Sequence, residues 1–592
     1  MREHSPTSIG NNGHLMADPL VTLAALLQPS FDAVAGRPGI DPVVRPSDRA
    51  DAQANGALAL AKELGRPPRE VAEAVVAEAR RRGDIRGSLE VAGPGFVNIV
   101  VDGAFLADEI AKVAADARLG ISKATRARTV VVDYSAPNVA KEMHVGHLRT
   151  TVIGDALVRM LEAVGHRVIR ENHIGDWGTP FGMLIEHLLD LGETQAADHL
   201  SLGDLDGFYK QARAKFDADD AFQDRARARV VLLQSGDTET RRLWSLLVAL
   251  STRHFNAVYE RLGVLLTDAD LMGESAYNDL LPEVIRRLDA LGLLAESDGA
   301  DVVFPPGYTN REGAPLPLIV QKGQGGFNYA TSDLACVIDR VERLGADLLL
   351  YVVGAPQAQH LSMVFDVARM AGWLTASTDA VHVAFGSVLG ADRKMLKSRS
   401  GEPLKFIDLL DEAISRAEAA VGAKNPDLAP EERLAVARSV GIGAVKYADL
   451  STDRVRDYVF DWERMLSFDG NTAPYLQYAH ARICSIFRRA GIDRATLRTI
   501  TPQVIEPQER TLALAVLGYD SAVADTIEKY SPHRLCTYLY ELATAFTGFY
   551  EHCPVLKSEG AVRDSRLALC DLTARVLAHG LGLLGIDAPE QM

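Results

Sequence analysis

Two histidines one helical turn apart, His144 and His147, bracket a glycine in the run His144-Val145-Gly146-His147. The run stands where a β-branched stretch gives way to helical spacing, so it opens a helix. A helix start carries unpaired N–H groups and a partial positive charge, which suits phosphate oxygens. Two imidazoles at i and i+3 add hydrogen-bond donors for a triphosphate as negative charge builds on leaving pyrophosphate. Gly146 presents no side chain, so a flat base can lie against the backbone there. On residue types alone, two helix-start histidines with no chemical task would look the same; a metal pair lacks a third ligand at suitable spacing. Far downstream lies a second run, Lys394-Met395-Leu396-Lys397-Ser398, flanked by Arg393 and Arg399 and followed by Ser400-Gly401. Cationic side chains on a glycine-edged loop after a strand form a movable clamp, closing on developing negative charge and opening for product. Alone, such a loop is more often a solvent-facing basic surface. No G-x-x-x-x-G-K-[ST] and no G-x-G-x-x-G opens a helix anywhere in the chain, so nucleotide is handled without those glycine cradles.

The elements around these runs are legible from periodicity. Thr129 to Asp133 (TVVVD) is a short β-branched run of the kind buried in parallel sheets, and Pro137 breaks it. From Gly146 the apolar residues keep helical spacing to Val164, Gly165 stops the helix, and Arg167 to Glu171 is a second strand. This βαβ unit predicts a parallel, doubly wound sheet. A second half follows: a strand at Leu348 to Val353, a helix at Gln357 to Ala371, and a strand at Val381 to Phe385 leading to the basic loop. Between the halves, about 186–320 is an insert with charged helical pattern such as Tyr209 to Val231, whose charge reads as a solvated face. Earlier, a small α/β unit has helices at Leu20 to Leu27 and Pro68 to Arg82, and a strand–turn–strand around Gly93-Pro94-Gly95. After Pro426 the chain reads as helical almost to its end.

At 592 residues the chain holds three to five domains by the usual ~100–200 residues each. Hydrophobic residues at 47% and charged residues at 24% describe a globular protein and exclude a disordered or fibrous one. No apolar run of spanning length and no leader-like N-terminus stands out, and five scattered cysteines lack C-x-x-C spacing; the expectation is a cytoplasmic protein with no membrane contact and no structural zinc. The net charge of −16 argues against a polyanionic partner. Its distribution qualifies this, because Asn471 to Met592 holds 12 Lys/Arg against 13 Asp/Glu and can carry a local basic surface.

Together the two chemistry-bearing runs resemble the HIGH and KMSKS signatures of class I aminoacyl-tRNA synthetases. Asp133 to Thr150 (DYSAPNVAKEMHVGHLRT), Asn172 to Gly182 (NHIGDWGTPFG), Tyr329 to Ala335 (YATSDLA), Tyr475 to Arg482 (YLQYAHAR) and the ending from Pro532 to Met592 are similar to arginyl-tRNA synthetases in particular. The resemblance covers nearly the whole chain from about Asp18. It implies an α/β fold in which a doubly wound parallel, Rossmann-like catalytic sheet joins a small N-terminal α/β domain and an all-α C-terminal anticodon-binding domain. The expected division is a flexible tail at 1–18, an additional domain at 19–118 contacting the tRNA corner, the catalytic domain at 119–420, a helical stem at 421–470 and the anticodon-binding domain at 471–592.

The activity so implied is ligation of L-arginine to tRNA(Arg) by a monomer, through an arginyl-adenylate. ATP is a substrate accompanied by magnesium, and DNA is not a partner. Residue by residue, the resemblance assigns catalysis to His144, His147, Lys394 and Lys397. ATP binding falls to these with Lys141, Gly146, Met395 and Ser398. Arginine falls to Asp133, Asn138, His147, Tyr329, Asp333 and Gln357, with Asp333 receiving the guanidinium; a planar five-donor fork calls for a carboxylate at fixed geometry. Binding of tRNA falls to Asn98, Tyr475, Tyr478, Arg482 and Met592. Two positions depart from the family pattern, Leu396 at the central serine of KMSKS and Met363 where glutamine is common. The residues by themselves leave other readings open. Asp333 suits a helix cap, Tyr329 and the tyrosine stripe suit a core, and Asn98 suits a turn. Another class I synthetase, a nucleotidyltransferase or a non-catalytic tRNA-binding paralogue would share parts of the pattern.

Overall fold

The structure, a computed structural model, describes residues 19–47, 49–178, 180–193, 205–323, 326–394, 396 and 404–592. It forms two compact units. One runs from Arg126 to Leu466 and includes Leu584–Ile586; the other joins the two ends of the chain, up to Thr125 and from Ser467 to Leu583 with Asp587–Met592.

The first unit is built on four parallel strands, β1 (Thr129–Asp133), β2 (Arg167–Glu171), β3 (Leu348–Tyr351) and β4 (Asp379–His382), in the order β4-β3-β1-β2. Val130, Val131 and Val132 are buried, as a strand covered on both faces requires. Helix α1 (Gly146–Ala163) connects β1 to β2, and helix α3 (Ala358–Met370) connects β3 to β4; helix α2 (Tyr329–Glu342) precedes β3. The connections leave β1 and β3 in opposite directions, so the right-handed crossover rule puts α1 and α3 on opposite faces. The strand order therefore reverses between β1 and β3, and a crevice opens at their carboxyl ends. This is the expected doubly wound sheet.

Gly154 shows how tightly α1 lies on the sheet. A β-carbon there would come within 2.4 Å of Tyr134, which follows β1 and is fully buried. We expect Gly154→Ala to destabilise the protein by about 1–3 kcal/mol through overpacking. A denaturant midpoint unchanged from the parent would show that the helix can move aside.

The insert differs from its sequence reading. The expected helix at Tyr209 to Val231 is two helices, Leu205–Ala218 and Asp220–Ser235, because the Asp219 side chain accepts from the Ala221 N–H and starts a new helix. After the helix Thr238–Leu262, an antiparallel three-stranded sheet (Ala295–Ser297, Ala300–Val303, Leu318–Gln321) appears where only helical pattern was read.

In the second unit, a four-stranded antiparallel sheet includes Gly87–Ala92 and Phe96–Val101, joined by the turn at Gly93-Pro94-Gly95. The same unit holds the helices Ala473–Ala490, Pro507–Leu517, Tyr519–Lys529, His533–His552 and Gly560–Leu583, while the sheet itself packs against the helices Pro19–Ala35 and Pro68–Arg82. The two chain ends are tied by charge: Arg510 pairs with Asp51 (Nε to Oδ1 2.9 Å), and Ser122 donates to Asp520 from its N–H (2.9 Å) and its hydroxyl (2.8 Å).

Candidate active site

The loop from β1 to α1 crosses the carboxyl edge of the sheet in an unusual conformation. Ser135, Ala136 and Ala140 have φ of 75°, 47° and 58°, a region that costs a side-chain-bearing residue energy unless its surroundings hold it. The surroundings do so. The Ser135 N–H donates to Thr150 Oγ1 (3.0 Å), the Ala136 N–H to Asn172 Oδ1 (3.0 Å) and the Ala140 N–H to Ser251 Oγ (2.9 Å). Tyr259 bonds both Ser135 Oγ (2.7 Å) and Asn172 Nδ2 (3.0 Å). Ser251 and Tyr259 lie on the insert helix Thr238–Leu262. Sequence reasoning passed over both, since a serine and a tyrosine on a charged helix give no local signal.

That loop delivers His144 and His147 with ring centroids 4.2 Å apart. The Gly146 N–H donates to His144 Nδ1 (3.0 Å) and the His144 N–H to His147 Nδ1 (3.2 Å). With both Nδ1 atoms accepting, the neutral rings carry their protons on Nε2. Burial, aided by the neighbouring His144, lowers the His147 pKa from 6.5 to about 4, and burial lowers that of His144 as well. Both are therefore neutral donors at physiological pH. Beside them lies a cavity of about 260 Å³ whose lining includes His144, Gly146, Arg149, Phe385, Gly386 and Leu396. Leu396 belongs to the second run, so the two runs share one cleft.

The segments flanking the second run explain this. Beyond it, the Val145 N–H donates to Leu404 O (3.1 Å), the Phe406 N–H to Met143 O (2.9 Å), and Lys405 pairs with Glu142 (2.9 Å). Ahead of it, Val388–Leu389 pairs in parallel with Tyr458–Val459, and Asp457 Oδ1 accepts from the Ser387 N–H (2.6 Å). Lys394 is exposed, its N–H donated to Asp392 (3.1 Å). Met395, Lys397 and Ser398 lie outside the described residues. Lys141 sits over the Tyr209 ring, 4.5 Å from its centroid. Arg149, also unread in the sequence, is 1% exposed; it pairs with Asp449 (3.1 Å) and donates to Arg456 O (2.9 Å).

The residues expected to hold arginine divide. Asp333 lies in the first turns of α2, and the cap of that helix is Asn328, whose side chain accepts from the Tyr329 N–H (2.9 Å). Asp333 is thus not the cap, and its Oδ2 accepts from His360 Nε2 (2.5 Å). Tyr329, 66% exposed, is not core; its ring meets His360 edge-on at 4.9 Å. Gln357 is exposed immediately before α3, and Asn138 lies against Gly175, where a β-carbon would come within 2.4 Å of its Oδ1.

Asp133 requires a correction. It is buried, and its Oδ2 accepts from Arg340 Nη2 (2.8 Å) while Glu171 accepts from Arg340 Nε (2.6 Å). Asp133 and Glu171 are in register on neighbouring strands, so their carboxylates stand side by side and repel unless a cation lies between. Arg340, 1% exposed and two turns after Asp333 on α2, is that cation. Two carboxylates that the sequence reading did not assign lie near this group, Glu274 within electrostatic reach of Asp333 and of Asp176. Glu274 has its pKa raised, first by burial and also by Asp176 and Asp333, with His173 opposing; Asp176 is raised by burial and accepts from Ser275 N (2.9 Å) and Oγ (2.7 Å).

Comparison with known proteins fits this geometry. A family model described as tRNA synthetases class I (R), catalytic domain, matches residues 109–462. The arginyl tRNA synthetase N terminal domain matches 22–101, and the DALR anticodon binding domain matches 476–592. An arginine–tRNA ligase of Thermobifida fusca is 55% identical over 98% of this chain and 100% of its own. The chain belongs to the arginyl-tRNA synthetase family. One from Salmonella dublin is 49% identical over 94% of this chain and 97% of its own. Among solved structures, arginyl-tRNA synthetases of Plasmodium falciparum (TM-score 0.83) and Thermus thermophilus (0.79) are each 26% identical, covering 98% and 97% of this chain and all of theirs.

The second unit carries the residues that the arginyl-tRNA synthetase resemblance gives to tRNA. Tyr475, Tyr478 and Arg482 share one face of the helix Ala473–Ala490. Tyr475 meets Tyr540 (5.6 Å), the 41%-exposed Tyr478 meets Phe468 edge-on (6.2 Å), and Arg482 lies over Tyr550 (4.3 Å). The tail leading to Met592 is laid on this helix: Gln477 donates to Asp587 O (2.8 Å), His480 bonds Pro589 O (2.9 Å) and Arg488 donates to Glu590 O (2.9 Å). Asn98 lies within a strand rather than at a turn, accepting from Gln53 on the neighbouring strand (2.8 Å).

Proposed function

We propose that the protein joins L-arginine to tRNA(Arg) in two steps, with ATP, as its magnesium complex, the second substrate. The arginine carboxylate attacks the α-phosphate, giving arginyl-adenylate and pyrophosphate; a terminal ribose hydroxyl of tRNA then attacks the activated carbonyl and releases AMP. The cleft lined by His144 and Gly146 of the first run and Leu396 of the second, with His147 against His144, is the observation that carries this reading. Neutral Nε2–H donors in a partly dry cleft stabilise charge as it develops on the phosphates, without a covalent enzyme intermediate. Lys394 and Lys397 clamp the same phosphates, with Lys141, Gly146, Met395 and Ser398 completing the nucleotide contacts. Asp333, supported by Glu274 and Tyr329, receives the guanidinium, while Asn138, Gln357 and His147 hold the other end of the amino acid.

Tyr475, Tyr478 and Arg482 offer rings and a cation to unstacked anticodon bases, with Met592 close by and Asn98 on the tRNA corner. Five buried free thiols suit a reducing cytoplasm, and we take the working form to be a monomer without DNA or membrane partners.

Charging of total tRNA with arginine, with lysine and glutamate as controls, tests the reading. We expect Asp333→Asn to raise KM for arginine by roughly 30-fold or more, since it unpairs a desolvated cation. Charging with lysine instead, or a KM for arginine indifferent to Asp333, would reject the assignment.

A further inference from the structure

We infer that His360 is a positioning residue for arginine selection, holding the plane of the Asp333 carboxylate so that a guanidinium can dock on it. The inference rests on the reading of Asp333 as the guanidinium receptor. His360 and Asp333 come from different helices, α3 and α2, and meet at 2.5 Å between Nε2 and Oδ2. The same imidazole meets the Tyr329 ring edge-on at 4.9 Å. One side chain thus touches two of the residues assigned to the guanidinium end, Asp333 and Tyr329.

A carboxylate on a short side chain swivels about its last bond, and a two-pronged pair with guanidinium forms only when both oxygens lie in the plane of the fork. An N–H donor on one oxygen removes that freedom. It does not compete with substrate, because an ionised carboxylate accepts about four hydrogen bonds and the imidazole uses one of them.

The position of His360 along the chain adds a second role. Gln357 lies immediately before α3, and His360 is the third residue of that helix. Residues three apart on a helix stand about 5–6 Å from each other on one face. One rigid helix start therefore addresses both ends of the amino acid, through Gln357 directly and through His360 by way of Asp333. Tyr329, largely exposed, takes its bracing ring contact from His360.

His360→Leu and His360→Gln in the full-length protein test this, with KM for arginine, KM for ATP and kcat measured by arginine-dependent pyrophosphate exchange in the presence of tRNA. Leucine fills the space without a donor and should raise KM for arginine about tenfold, the usual weight of one charge-assisted hydrogen bond, while KM for ATP stays within about twofold. Glutamine keeps an N–H donor and should recover most of the loss. Should the leucine variant not fold, calorimetric arginine binding to His360→Ala supplies the same readout. An unchanged or lower KM for arginine in the leucine variant, or a glutamine variant no better than leucine, would overturn the inference. Asp333→Asn measured alongside separates the two levels: if it too leaves KM for arginine unchanged, the receptor assignment fails, and if it alone raises KM, only the role of His360 does.

Discussion

Replacing His144 with alanine will slow arginyl-adenylate formation by roughly 10²–10³, with KM for arginine little changed. The expectation follows from the fixed tautomer. His144 Nδ1 accepts from the Gly146 N–H, so the proton sits on Nε2, and the ring lines the cavity that Leu396 also lines. A donor held in place before the reaction costs nothing to reorganise as charge builds on the phosphates, which is why losing one matters more in a cleft than in water. Pyrophosphate exchange measures the step directly, and a loss smaller than about tenfold would remove His144 from the chemistry. The acid limb has a defined sign. The unfolded His147 ring takes up a proton near 6.5 and the folded one near 4. Between those values the unfolded state binds more protons, so this residue's contribution to stability falls as pH drops from 6.5 towards 4 and is complete above it.

The largest stability effect is expected at Asp449. Its carboxylate and the Arg149 guanidinium are both buried, 3.1 Å apart, and Arg149 also donates to Arg456 O. Asp449→Asn leaves a cation in the core without a counter-charge, and we expect a loss of about 3–5 kcal/mol of unfolding free energy, read from denaturant titration. Arg149 lines the cavity beside His144 that we propose takes the nucleotide, and Asp449 lies in the last turn of the helix Pro430–Leu450, so the same variant should raise KM for ATP more than KM for arginine. The double replacement Arg149→Met with Asp449→Leu provides the control. Removing both charges should restore much of the stability, since a buried pair replaced by apolar volume is often neutral, but not the ATP affinity. A single-variant loss below about 1 kcal/mol would show that the guanidinium finds another partner.

The readable parts of this protein are those whose physics is local. A run of three valines between turn signals has few alternatives to a buried parallel strand, and β1 is Thr129–Asp133. Glycine near the end of an apolar helical stripe marks a stop, and α1 ends at Ala163 just before Gly165 turns left-handed. The insert was read less well. Three short strands between Ala295 and Gln321 pair with one another across a loop, and only that pairing distinguishes them from helical or irregular chain. The break at Asp219 turned on one side chain bonding a backbone N–H two residues ahead, which propensity over a window averages away.

At the cleft the same division holds. Residue type and order made two histidines and a basic run candidates for phosphate chemistry, and the resemblance to arginyl-tRNA synthetases added an aspartate for the guanidinium, because phosphate and guanidinium accept few kinds of partner. What those residues touch was decided only by the tertiary structure. Asp133 carries the same charge as Asp333, yet one is matched to Arg340 inside the fold and the other accepts from a half-buried imidazole. Ser251, Tyr259, Arg149 and Glu274 act through partners many residues away. A carboxylate's task depends on which cation lies within a few ångströms, and that distance is set by packing of elements that the sequence orders but does not place beside one another.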